Sequence, residues 1–158
     1  MLVYRIANQL YINDLSGEGA KLTGGRWNNK GVPILYTGSS LSLCAWEYFV
    51  HLPLKIVPKQ NTFSYAVIEI PTDSMLEISP SSLPKKWKNT TKILPQITND
   101  WIEKRQSLAL KVPSSIIESE YNFLLNPAFP LYEDLVKIIE IKHGFTFDHR
   151  AFGKKIKS

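Results

Sequence analysis

Gly24, Gly25, Arg26, Trp27 and Asn28 stand together as GGRWN, and a short apolar segment then ends in Tyr36. Paired glycines let a ligand approach the main chain, and arginine offers a planar fork of donors that matches a phosphate through two bonds. Further on, in SLSLCAWEYFVHL, Glu47 lies three or four positions from Leu43, Cys44, Val50 and His51, so its carboxylate shares a helix face with mostly apolar neighbours. A carboxylate there is costly unless it is paired or used. Arg5 and Arg26 are its candidate partners in a structural ion pair. The alternative is that Glu47 faces a cleft in which a positive centre develops, while His51 reads as structural. A third cluster, VPSSIIESEYNFLLNP, covers residues 112–127. Ser114 and Ser115 follow an expected strand and Pro113, where a hydroxyl can cap a helix or point into a cleft. Asn122 and Asn126 flank an apolar Phe-Leu-Leu and would by default tie down loop backbone.

These groups need elements to hold them. Strand-like content occurs at Val3–Ile6, Ile34–Thr37, Tyr65–Ile70, Ala109–Val112 and Lys137–Lys142. Helices are expected over Ser40–Val50, capped by Ser39 or Ser40, and from about Asn99 to Gln106, capped by Asn99, with a further helical turn at Glu120–Leu125. Strands and helices do not alternate regularly, so an α+β arrangement with mainly antiparallel strands is favoured over a doubly wound sheet. Residues 79–96, rich in Pro, Ser and Lys, read as a long surface excursion within a single domain spanning 1–158.

Composition narrows the classes. With 158 residues, 44% of them apolar, the chain has enough material for one real core. Its apolar runs are broken by Glu47, His51 and Pro53, short of the roughly 20 residues a membrane span needs. The N-terminus lacks a signal-peptide layout, so a cytoplasmic protein with no membrane partner is expected. The single cysteine, Cys44, excludes an internal disulfide and a multi-thiolate zinc site, and His51, His143 and His149 lack a metalloprotease spacing, so no metal is expected. A net charge of +5 suits an anionic ligand or acidic partner, although Lys154, Lys155 and Lys157 place part of it in a tail read as solvated.

Familiar nucleotide fingerprints fail. GEGAKL begins like a dinucleotide loop but has Leu22 at its last glycine position, and GAKLTGGR departs from a phosphate-binding loop at Gly25, where lysine is required. No GxSxG elbow with a nearby His–Asp set supports a serine hydrolase.

Taken in order, YRI, GGRWNNKGVPILYTGSSLSLCAWEYFVHL, LPKKW, DWI, LKVPSSIIESEYNFLLNP and FTFDHR resemble the RES domain, the toxin half of Xre–RES toxin–antitoxin pairs, over nearly the whole chain. The resemblance implies an ADP-ribosyltransferase-like α+β fold with a split, mainly antiparallel β core and a cleft that takes NAD+ as substrate, with no cofactor. It places Arg5 and Arg26 at the diphosphate or ribose, Tyr36 against the nicotinamide ring, Glu47 as the catalytic carboxylate, Ser114 with it, and Asn122 in the following motif. Family members often carry histidine before the second proline of NPxHP, where this chain has Phe129, so no histidine is assigned there.

That resemblance implies cleavage of the nicotinamide–ribose bond. The leaving group is neutral and the ribose becomes cationic, so a fixed carboxylate beneath the sugar is worth more in the transition state than in the ground state. Water, inorganic phosphate or a protein side chain are all open as acceptor, giving a glycohydrolase, a phosphorylase or a protein ADP-ribosyltransferase. An Xre-type antitoxin covering the active site is the expected partner, and it would carry any DNA-binding domain. A basic nucleic-acid module using Arg26, Trp27, Trp87 and the lysines of 85–92 and 154–157 is a further alternative, opposed by scattered charge and the absence of a known nucleic-acid-binding motif.

Overall fold

A computed structural model describes residues 1–52, 62–89 and 92–152. Pro53, residues 90 and 91 of the surface excursion, and the tail lysines Lys154, Lys155 and Lys157 lie outside the described residues. In chain order the elements are β1 (Leu2–Asn8), α1 (Glu18–Thr23), β2 (Leu35–Gly38), α2 (Leu41–Phe49), β3 (Phe63–Glu69), β4 (Met75–Glu77), α3 (Leu94–Lys104), β5 (Ala109–Pro113), β6 (Tyr121–Leu125), α4 (Tyr132–Leu135) and β7 (Lys137–Phe145), with short 3-10 turns between them.

The strands form one sheet in the order β4-β5-β6-β2-β1-β3-β7. Every pairing is antiparallel except β4 with β5, which gives the α+β class that the irregular spacing of elements implies. Two expectations need correction. Glu120–Leu125 is no helical turn: Tyr121–Leu125 is a central strand between β2 and β5. Phe123, Leu124 and Leu125 are all buried, so this strand shows no polar alternation, and periodicity cannot separate such a run from a buried helical turn. The helix expected from Asn99 begins earlier, at Leu94, with Pro95 in its first turn, where a missing N–H leaves no bond unmade.

Alternation along the strands sorts the core into two sides. Val3, Ala7, Leu35, Ala66, Ile68, Ala109, Phe123 and Leu125 pack on one face with Ile12 and Tyr132. Leu110, Val112 and Leu124 face the other way, against Trp27, Trp87, Trp101 and Ile102. On that second side Ile6 and Phe63 pack with Cys44 of α2, flanked by Tyr4 and Tyr48. The two halves of the sheet meet narrowly: β1 pairs with β3 over seven residues but with β2 only through Tyr4 and Gly38. No described helix is long and apolar enough to cross a membrane.

Candidate active site

α2 starts where the sequence places it. Ser40 accepts a hydrogen bond from the Leu43 amide at 3.1 Å, the N-cap geometry that satisfies an otherwise orphaned donor. The helix then lies against β1 and β2. Gly38 makes this close approach feasible: a Cβ there would come within 2.7 Å of Cys44 Sγ. Cys44 in turn sits 3.0 Å from the Tyr4 carbonyl, and burial pushes its thiol up to about 12. Across the sheet Gly38 is paired with Asn122, and Asn122 with Val112, so one row of residues runs beneath α2 from β5 to β1.

Glu47, half-buried on α2, reaches Asn122 within that row and Ser114 just past the end of β5. Its Oε1 accepts from Asn122 Nδ2 at 2.6 Å and from Ser114 Oγ at 2.9 Å. Ser114 is 1% exposed and directly follows β5. Its oxygen also accepts from the amides of Ile116 and Ile117 at 3.0 and 3.1 Å, so its one proton is committed to Glu47. Glu47 Oε2 makes no hydrogen bond or ion pair among the described residues. The expected arginine pairing does not form. Glu47 is satisfied by neutral donors from β6 and from the loop after β5, and both guanidiniums are engaged elsewhere.

Arg26 donates from Nη1 to the Lys88 carbonyl at 2.7 Å, and Lys88 Nζ lies 2.5 Å from Glu118 in the loop that follows Ser114. The turn that carries Arg26 is pinned from several sides. Trp27 N donates to the Tyr36 hydroxyl at 3.0 Å, Tyr36 donates to Asn28 Oδ1 at 2.8 Å, and buried Thr98 of α3 donates to the Trp27 carbonyl. Gly25 is required by crowding, since a Cβ there would stand 2.7 Å from the Tyr36 oxygen. Burial raises the Tyr36 hydroxyl above its ordinary range, with the Trp27 amide and Arg26 acting against the shift and Glu47 adding to it. Tyr36 thus lies in electrostatic reach of both the Arg26 cation and the Glu47 carboxylate.

Arg5 is not part of this group. It faces Ala66 across the sheet, sharing the side of Val3 and Ala7, whereas α2 packs on the side of Tyr4 and Ile6. Its Nη1 donates to the carbonyls of Tyr11 and Ile12 at 3.0 and 2.9 Å. Burial lowers its basicity, and Asp14, Tyr132 and Tyr48 partly restore it. The structure therefore brings Glu47, Ser114 and Asn122 into direct contact, sets Tyr36 and Arg26 nearby, and gives Arg5 a bracing position. His51 is exposed just beyond α2, and Asn126 does tie down loop backbone, accepting from Ala128 N and donating to the Ile102 carbonyl. Asn122 departs from that expectation, because its strand turns the amide toward α2.

Asn28, Thr98 and Lys88 support the site without having been singled out. For Asn28 the only signal is its place in GGRWN; Thr98 and Lys88 act across 71 and 62 residues, a separation no local motif marks.

The overall fold is one already seen in a solved structure. The chain is similar to one in the crystal structure of the M. tuberculosis MbcT–MbcA toxin–antitoxin complex, with a TM-score of 0.70 at 16% identity, covering 90% of this chain and 82% of that one. The RES domain model matches residues 2–148, and the chain belongs to the RES domain family. It is 32% identical over 153 residues to Toxin Res of Yersinia enterocolitica, covering 95% of this chain and 99% of that protein. Over 124 residues, 75% of each chain, it is 38% identical to the Prs ADP-ribosylating toxin of a Sphingobium species. Its class is that of a RES-domain toxin.

Proposed function

We propose that this chain is the toxin of a toxin–antitoxin pair and that it degrades NAD+ by breaking the bond between nicotinamide and ribose. The observation that carries this reading is Glu47, a half-buried carboxylate anchored through one oxygen by Ser114 and Asn122, with its second oxygen bonded to no other group among the described residues. A carboxylate held by neutral donors is not already paired with a protein cation, and the protein need not reorganise when a cation forms in front of it. Arg26 supplies the guanidinium for the diphosphate, and the Tyr36 ring offers a face to the nicotinamide. Ser114 and Asn122 hold the carboxylate in one pose. Arg5, committed to two carbonyls, supports the fold from the opposite face of the sheet.

As the glycosidic bond breaks, its electron pair leaves with nicotinamide, and the ribose carbon then takes an acceptor. Water gives ADP-ribose and inorganic phosphate gives an ADP-ribose phosphate. A protein acceptor is a second reading, favoured by the relative named as an ADP-ribosylating toxin. An Xre-type antitoxin that covers the site is the partner this reading requires, with growth arrest following depletion of the NAD+ pool.

The test is to incubate the purified protein with NAD+, with and without phosphate, follow nicotinamide by chromatography, and search protein fractions for mass added by ADP-ribose. Nicotinamide release with free ADP-ribose or its phosphate supports NAD+ degradation. Label transferred stoichiometrically to protein selects the transferase, and no nicotinamide release removes both.

A further inference from the structure

The protons around Tyr36 are fixed by their surroundings. Asn28 is 2% exposed, and its Nδ2 faces three carbonyl oxygens: Ala20 at 2.8 Å, Val32 at 2.9 Å and Asn29 at 3.2 Å. Only an amide NH2 can face carbonyls, so the orientation of Asn28 is determined and Oδ1 is the atom turned toward Tyr36. An acceptor on that side forces Tyr36 to donate its single proton to Asn28. The Trp27 amide then fills a lone pair on the same phenol oxygen. Nothing is left on this hydroxyl to give to a substrate.

We infer that Asn28 is a positioning residue of the active site, which takes the Tyr36 proton and so makes the phenol a brace for the turn bearing Arg26, leaving only the Tyr36 ring for the ligand. The residues on either side of Arg26 are both involved. Gly25 passes too close to the phenol oxygen to carry a side chain, and its amide donates to the Asn28 carbonyl at 3.0 Å. Trp27 has its amide held by Tyr36 and its carbonyl by Thr98. Asn28 also ties this turn to the end of α1 through Ala20 and to the approach to β2 through Val32. Arg26 therefore projects from a backbone that cannot shift without breaking side-chain bonds from β2 and α3. Such fixing lowers the ordering cost of gripping a diphosphate, and its loss belongs to binding more than to chemistry.

This inference rests on the NAD+ reading for its kinetic arm, and a second arm is independent of it. Tyr36→Phe keeps the ring and removes the brace. Steady-state nicotinamide release should show KM for NAD+ raised about tenfold or more against a fall in kcat of less than about threefold. The KM effects of Tyr36→Phe and Asn28→Ala should combine to less than their product, because the two share the Tyr36–Asn28 link, while the Asn28 bonds to Ala20 and Val32 are lost only in the second. A kcat loss on the order of 10²-fold at unchanged KM would make the hydroxyl a proton donor in catalysis and overturn the assignment. Independently of any activity, amide exchange at Trp27 should be slow in the parent and in Glu47→Gln and should accelerate in Tyr36→Phe. Equal protection in parent and Tyr36→Phe overturns the brace even where the parent releases no nicotinamide, a result that would itself remove only the NAD+ reading.

Discussion

Asn122 Nδ2 stands 2.6 Å from Glu47 Oε1, joining a central strand to the helix above it at the place where Gly38 leaves the sheet bare. The contact survives Glu47→Gln, because the glutamine carbonyl still accepts from Asn122 and Ser114. That variant should fold like the parent and lose only the charge. Nicotinamide release is expected to fall by about 10²-fold or more, the scale of removing one preorganised electrostatic group. Near-parent turnover in the folded variant would take Glu47 out of the chemistry.

Ser114→Ala should hurt twice. The amides of Ile116 and Ile117 lose their acceptor, a cap-like defect expected to cost about 1–2 kcal/mol in urea unfolding. Turnover should fall less than in Glu47→Gln, since Asn122 still holds the carboxylate. A Ser114→Ala loss as deep as that of Glu47→Gln would mean the hydroxyl itself touches the substrate.

Arg26→Lys keeps a positive charge and loses the fork. With one nitrogen the residue cannot both bond the Lys88 carbonyl in the same way and match a diphosphate through two bonds. KM for NAD+ is expected to rise by roughly tenfold, a loss of one good charged hydrogen bond. Unchanged binding of NAD+ by calorimetry would assign the diphosphate to another group.

Arg5→Gln tests the division between the two arginines. Its loss should appear in stability, about 2 kcal/mol for charge-assisted bonds to two carbonyls, read as a lower urea midpoint. A rise in KM matching that of Arg26→Lys, without a change in midpoint, would return Arg5 to the substrate.

Three acids, two of them buried and Tyr36 partly so, set an alkaline limit. Cys44 is raised from 9.0 to about 12, and Tyr36 and Tyr132 are also raised, in each case chiefly by burial. Raised acids stay protonated in the folded chain while the unfolded chain ionises, so their stabilising effect is complete below pH 9 and lost as pH climbs toward 12. Urea midpoints should be insensitive to these groups from pH 6 to 8 and fall steadily above about pH 9, while Cys44 in the native protein stays inert to thiol reagents at about pH 8.

Local signals were legible and distant ones were not. Ser40 as a cap, Glu47 on its helix and Ser114 at a strand end could be read because each depends on neighbours within a few residues. The helix facing Glu47 toward apolar neighbours also flagged a carboxylate in need of donors, but the donors named were arginines. Asn122 and Ser114, 75 and 67 residues away, take that place because β6 is a strand, which its buried Phe-Leu-Leu run concealed. Arg5 does not pair with Glu47 for a related reason. Its resemblance to a family position says nothing of which face it occupies, and the strand's two-residue period sends it away from α2. The expected split core takes the form of a continuous sheet that narrows to one residue pair.

That narrowing has a mechanical consequence. Two ribbons joined at a single rung act as leaves on a spine, and α2, resting on both, sets the angle between them. Tyr36 and Asn122 ride on one leaf, the Tyr4 carbonyl that receives the thiol of α2 on the other. Glu47 is carried by α2 while Asn122 and Tyr36 belong to the strands below, so the seat of the helix on both leaves fixes where the carboxylate stands.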